Sequence, residues 1–204
     1  MNQQGSGLWL AERVGLCTAS RFKDAMAKLK TGKPAASRES YALQLVSERL
    51  TGQPSPTFVT QAMSWGTEQE PAARIEYAWR TGVEVEETGF HRHATLATGA
   101  SPDGLVSCEG LCEFKAPSSQ RHVETLLHGM PEDHLPQIMG QMWITGRAWV
   151  DFCSFDPRMV NKKHQLYIQR VYRDDAYIAN LENEICGFLG EVDALVQQIE
   201  ESTK

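Results

Sequence analysis

Residues 99–117, GASPDGLVSCEGLCEFKAP, read as a tight β-hairpin whose apolar strands carry Asp103, Glu113 and Lys115. Two carboxylates and an ammonium are expensive to take out of water, so a hairpin patterned for burial holds them together only when they bind something. Alternation along LCEFK sends Leu111, Glu113 and Lys115 to one face and Cys112 and Phe114 to the other. The side taken by Asp103 depends on the loop. A two-residue loop at Glu109-Gly110 would set Asp103 opposite Ala116, facing away from Glu113. A three-residue loop, Cys108-Glu109-Gly110, pairs Asp103 with Lys115 and Leu105 with Glu113, bringing all three charges to one face. Gly110 suits the left-handed last position of that loop, so the three-residue form is expected.

Two carboxylates on one face raise each other's pKa unless a cation neutralises them. Hard oxygen donors select Mg²⁺ or Mn²⁺ over zinc, and Mg²⁺ takes one or two carboxylates while leaving its other positions to water and phosphate. Such a metal acidifies water and polarises a phosphoryl oxygen, and an ammonium beside it orients the attacking water. The alternative is a solvent-facing Glu113–Lys115 pair on an edge strand, with Asp103 in an ordinary Pro-Asp-Gly turn. A zinc site from Cys108, Cys112, His91 and His93 would depart from the usual ligand spacing.

The rest of the chain alternates helical and strand grammar. Helices are expected over 20–29, with Ser20 as cap, over 37–52, with Ser37 as cap and Gly52 as stop, and over 64–82, with Ile75 and Trp79 on one face. The segments 31–37 and 53–57 read as breaks. Strands follow around 83–93 and 111–117, then a helix over 133–146, strands over 148–157 and 164–173, and a long final helix over 175–201. His91, His93, Trp143 and Trp149 read as sheet and core filling. This order predicts an α/β fold, a central mixed β-sheet flanked by helices, in one domain over residues 1–204.

Composition narrows the function. No apolar run reaches the roughly eighteen residues of a membrane span, the N-terminus lacks a leader pattern, and five scattered cysteines suggest reduced thiols, so a cytoplasmic protein is expected. A net charge of −6 argues against a nucleic-acid partner only until its distribution is read. Residues 1–50 hold eight Lys/Arg against four Asp/Glu, and the remainder twelve against twenty-two. A basic surface built from the first quarter is available to phosphates, although a solvated helix face would have the same composition.

Asp103 followed by Glu113-Phe114-Lys115 is the PD-(D/E)xK nuclease signature. RVGLCTAS (13–20), WGTEQE (65–70), SPDGL (101–105), EFKAP (113–117), PQIMGQMW (136–143) and FDPRM (155–159) stand in the order of one branch of it. Through these blocks the chain resembles the phage-lambda exonuclease and YqaJ-type viral recombinase family over residues 8–200. The resemblance implies a restriction-endonuclease-like core and a Mg²⁺-dependent 5′→3′ double-strand DNA exonuclease, with Mn²⁺ as substitute. The enzyme would degrade one strand to mononucleotides and leave a 3′ overhang for recombination. By position, it implies metal binding by Asp103, Glu113 and the carbonyl of Phe114, and Lys115 handling the attacking water, with Gln137 beside that lysine. Glu70 would line the metal site, although a Thr67-x-x-Glu70 capping box is the alternative. Arg13, Ser20 and Ser101 would cradle a 5′-terminal phosphate, a role suited to a guanidinium fork and a hydroxyl at a helix start. DNA ends, a ring-shaped homotrimer and a single-strand annealing protein are the implied partners. The rivals are a PD-(D/E)xK endonuclease and a non-catalytic DNA-end-binding module.

Overall fold

The charged hairpin is the middle of the fold in the computed structural model, which describes residue 2 and residues 4–56 and 58–202. Along the chain, α1 (Gly7–Glu12), β1 (Cys17–Thr18), α2 (Phe22–Ala25), α3 (Ala36–Thr51) and α4 (Gln61–Thr81) come before the hairpin. A run of strands follows: β2 (Val85–Glu86), β3 (His91–Arg92), β4 (Thr98–Ala100), β5 (Gly104–Val106) and β6 (Gly110–Lys115). The chain ends with α5 (Ser119–His128), α6 (Leu135–Thr145), β7 (Trp149–Phe155), β8 (Leu166–Tyr172) and α7 (Asp175–Ser202). Five strands form one sheet in the order β2-β5-β6-β7-β8, parallel only between β6 and β7. A smaller sheet, β1-β4-β3, pairs β1 parallel to β4.

The period of two along β6 decides what each helix layer meets. Leu111, with Val150 and Phe152 of β7, packs against Phe22, Tyr41, Ile138, Met142 and Phe188 of the layer formed by α2, α3, α6 and α7. Cys112 and Phe114, with Cys153 and Phe155, face Ala73 and Tyr77 of α4. The α/β architecture with a mixed sheet flanked by helices is as expected. Glu113 therefore points toward the α6 layer.

Several local expectations are corrected. The hairpin loop does have three residues, but they are Ser107, Cys108 and Glu109, because Val106 pairs with Gly110 and Leu105 with Leu111. Gly110 is not the left-handed residue; Ser107 is, at φ 51°. Gly110 is glycine because a Cβ there would come within 2.1 Å of the Trp149 ring. Since the pairing moves by two residues, every side chain keeps its face. Ser20 caps no helix: it lies inside the 3₁₀ turn Ala19–Arg21, and α2 stops at Ala25. Beyond it the backbone closes a small loop instead, with Ala35 N donating to Ala27 O at 3.0 Å and Leu29 N to Lys33 O at 2.8 Å. Ser37 is likewise inside α3, whose N-cap is Ala35.

Helix α4 starts earlier than expected, at a Thr60 cap whose side chain accepts from Met63 N at 3.2 Å. Thr67 is thus mid-helix and binds the Met63 carbonyl, which removes the capping-box alternative for Glu70. Ile75 and Trp79 share a face, but the solvent one, at 72% and 79% exposure. Helix α5 was not anticipated. The break expected over 53–57 holds for 53–56, and Thr57 lies outside the described residues.

On the α4 side, the Asp151 carboxylate of β7, 2% exposed, accepts two hydrogen bonds from Arg170 at 2.8 and 2.9 Å and one from the Tyr77 hydroxyl at 2.7 Å. Removing Arg170 leaves that carboxylate with one donor. We predict that Arg170→Met lowers unfolding free energy in urea by about 1.5–3 kcal/mol, the range for hydrogen bonds to a charged group. The Asp151→Leu/Arg170→Met double variant should regain most of the loss, because no buried charge is then left unpaired. A double variant no more stable than the single one would contradict this reading.

Candidate active site

The cleft between α1, the 3₁₀ turn and α6 is where the charges meet. Asp103 stands just before β5, and its Oδ2 accepts from Phe114 N at 2.7 Å, so the carboxylate is tied to the backbone of the strand that carries Glu113. This is not a free Pro-Asp-Gly turn. Gly104 follows because a Cβ there would sit 2.1 Å from Val85 and 2.9 Å from the Cys112 sulfur. Glu113 is 2% exposed, which excludes the solvent-facing pair. Its Oε1 accepts from Lys115 Nζ at 2.5 Å and Gln137 Nε2 at 2.6 Å, and its Oε2 from Gln141 Nε2 at 2.5 Å.

The electrostatics follow from this crowding. Burial, then the neighbouring Glu113 carboxylate, push the Asp103 pKa well above its usual value. Burial alone would depress Lys115, but Glu113 and Asp103 outweigh it and hold the ammonium above its usual range. Glu70, on α4, is raised by burial against the opposing pull of Arg74. Arg74 donates to Glu70 Oε1 at 2.7 Å and to the Asp103 carbonyl at 3.4 Å, and also pairs with Glu87.

Asp103, Glu113, Gln137, Arg13, Ser20 and Ser101 line a single cleft of about 180 Å³. Lys115 joins it through Glu113. Glu70 lies instead in the larger adjoining groove of about 1510 Å³, whose walls include Arg13, Ser20, Arg74 and Asp103. Arg13, at the end of α1, lies over the Trp9 ring at 3.8 Å and donates to Thr18 Oγ1 at 3.4 Å, which is 3.4 Å from Ser20 Oγ. Ser101 Oγ accepts from the Trp9 indole N–H at 2.9 Å. Burial lowers the Arg13 pKa, its Nε has no hydrogen-bond partner, and among the described residues it makes no ion pair. A half-buried guanidinium on which Glu48 acts only through space, with no ion pair of its own, could accept an anion that enters from outside.

Trp9, Gln141 and Arg74 are the contacts that sequence reading missed. Gln141 had a signal, since it stands one helical turn after Gln137. Among the described residues no group of three or more His, Cys, Asp or Glu side chains could hold a metal; the carboxylates that share the cleft are those of Asp103 and Glu113. That donor set fits Mg²⁺ or Mn²⁺, which complete their shells with water and phosphate. It does not fit zinc. Cys112 is buried on the opposite face of β6 and Cys108 is exposed in the loop.

The profile of the YqaJ-like viral recombinase domain matches residues 8–148. A search of curated proteins gave no match. Among solved structures, the alkaline exonuclease LHK-Exo from Laribacter hongkongensis is 41% identical over 97% of this chain and 98% of its own, with a TM-score of 0.89. The same enzyme in complex with dAMP superposes with a TM-score of 0.90 at 41% identity, over 97% of this chain and 98% of that one. A phage related exonuclease from Haemophilus somnus 129PT shares the fold at 12% identity, over 90% of this chain and 96% of that chain, with a TM-score of 0.70. A profile spanning the cleft from Arg13 through Asp103, Glu113 and Gln137, with a full-length relative at 41% identity, makes the chain a member of the YqaJ-like viral recombinase family.

Proposed function

We propose that this protein is a divalent-metal-dependent exonuclease that digests double-stranded DNA in the 5′→3′ direction, releasing mononucleotides and leaving a 3′ single strand for recombination. At the coarser level the protein is a DNA exonuclease of recombination type, as its family and its alkaline-exonuclease relatives indicate. One observation carries the finer reading: an unpaired cation with two hydroxyls and a pair of carboxylates share one cleft of about 180 Å³. A terminal phosphate and the next phosphodiester of one strand are the ligands that such a pair of subsites suits.

Asp103, Glu113 and the carbonyl of Phe114 would hold Mg²⁺, with Mn²⁺ able to substitute. Bound there, the cation polarises the scissile phosphate and lowers the pKa of water. Lys115 stays an ammonium, so it orients the attacking water by donating to it and steadies charge on the phosphoryl oxygens. Gln137 keeps Glu113 and Lys115 in register. Glu70, held by Arg74, faces the groove through which the duplex would approach. Arg13, Ser20 and Ser101 would grip the 5′-phosphate and so set the polarity of digestion.

Among the described residues no helix is long and apolar enough to cross a membrane. The five cysteines are free, and reduced thiols suit a cytoplasmic site of action. The family resemblance further supports a homotrimer around DNA and a single-strand annealing partner. Exposed Ile75 and Trp79 offer apolar surface for such contacts.

Asp103→Ala and Glu113→Ala should keep folding and DNA binding but lose cleavage of linear duplex by at least about a hundredfold, the low end of what a positioned metal supplies. Substantial residual activity in either variant would place the metal elsewhere. Lys115→Ala should be similarly inactive while still binding Mn²⁺ in a calorimetric titration. Covalently closed circles should resist digestion, and their incision would favour an endonuclease.

Direction has its own test. A 5′-phosphorylated duplex should be digested about tenfold to a hundredfold faster than one ending in 5′-hydroxyl, since a charge-assisted contact in a partly dry pocket contributes roughly 1.5–3 kcal/mol. Arg13→Ala should slow only the phosphorylated substrate. Equal rates at both ends in the unmutated protein, or an equal Arg13→Ala defect on both, would refute the 5′-phosphate role.

A further inference from the structure

The two oxygens of Glu113 are held by different means. Oε1 has two donors, Lys115 Nζ at 2.5 Å and Gln137 Nε2 at 2.6 Å, whereas Oε2 has one, Gln141 Nε2 at 2.5 Å. Lys115 is 31% exposed, so water can replace its bond, whereas Gln141 is 1% exposed, so water takes its place only where a shorter side chain leaves room. Nor can the amide turn over. An ionised carboxylate only accepts, so Nε2 must face Glu113 and Oε1 must point away. That Oε1 is buried and has no hydrogen-bond partner among the described residues, a costly arrangement unless a donor enters the cleft. The residue also lines the cleft itself. A glutamine placed only for packing would not aim its donor at one carboxylate oxygen and leave its acceptor bare.

We propose that Gln141 is a positioning residue that sets the affinity of this cleft for a divalent cation by holding Glu113 Oε2 in its binding direction. The inference rests on the metal reading of Asp103 and Glu113 given above. Its physical basis is orientation: with Oε2 released, the Glu113 carboxylate keeps both remaining donors on Oε1 and is free to pivot about them. Loss of a partner that orients a metal ligand typically weakens affinity about 10–100-fold.

The test titrates Mn²⁺ alone, without DNA, into the unmutated protein and the Gln141→Met, Gln141→Ala and Glu113→Gln variants by calorimetry, with urea unfolding to establish that each is folded. Methionine keeps the volume and removes the donor. Alanine opens space for a water that can donate to Oε2. A hydrogen-bonding role therefore puts Gln141→Met lowest, about 10–100-fold weaker than the unmutated protein, with Gln141→Ala between them. Digestion by Gln141→Met should recover as Mn²⁺ is raised, with KM for DNA ends unchanged. A packing role gives the reverse order, a weak alanine variant and a normal methionine variant, and would overturn the proposal. So would unchanged affinity in both. If Gln141→Met does not fold, normal Mn²⁺ affinity in Gln141→Ala is enough to overturn it. No Mn²⁺ binding by the unmutated protein, or full binding by Glu113→Gln, would overturn the metal reading and this inference with it.

Discussion

Burial of the Glu113 carboxylate constrains everything around it. A 2%-exposed carboxylate in the middle of a sheet face is tolerated only if its charge is answered on both oxygens, and the answer comes from two places in the chain. Lys115 belongs to the same strand, while Gln137 and Gln141 come from α6, which must lie close enough for both amides to reach. Gly140, between them, permits the crossing of α6 over α2, since a Cβ there would come within 2.5 Å of the Phe22 ring. The packing of the apolar layer and the geometry of the charged cleft are thus one requirement. Asp103 completes it from the residue just before the neighbouring strand, tied to Phe114 N.

The distribution of charge reconciles an acidic protein with a nucleic-acid substrate. Net charge is −6, yet Arg13, near the chain start, has no carboxylate partner among the described residues. Many other cations are neutralised locally, as Arg38 is by Glu191, Arg49 by Asp193 and Lys28 by Glu184. What attracts a phosphate is a desolvated cation without a protein anion beside it, a property that total charge does not report. The short sheet β1-β4-β3 has a plain structural consequence here: pairing Cys17 with Thr98 and Thr18 with Gly99 brings the Arg13–Ser20 segment alongside Ser101 and Asp103.

Some features were legible because they depend on residues close in sequence. Strand alternation puts Glu113 and Lys115 on one face whatever the loop does, and a loop displaced by one position still left Asp103 on that face. Helix α5 was illegible because its buried residues are His122 and Thr125, which hydropathy does not flag, while its Val123 and Leu127 are exposed. Helix α4 carries two apolar pairs at four-residue spacing, Ala73–Tyr77 and Ile75–Trp79. Periodicity alone cannot say which pair meets the sheet. Tyr77 does, because its hydroxyl has Asp151 to bind and its ring meets Phe114 edge-on at 5.9 Å.

The sequence by itself determined the order of most of the longer elements, the α/β class, the shared face of Glu113 and Lys115 and the family, because these follow from backbone periodicity and from blocks of adjacent residues. Only the tertiary structure decided that Gly110 is demanded by Trp149, that the Trp9 indole donates to Ser101, and that Gln141 rather than solvent completes Glu113. Each depends on a contact between elements packed against one another. A desolvated group takes whatever partner the fold brings within about 3 Å, and a residue's neighbours along the chain do not say which one that is.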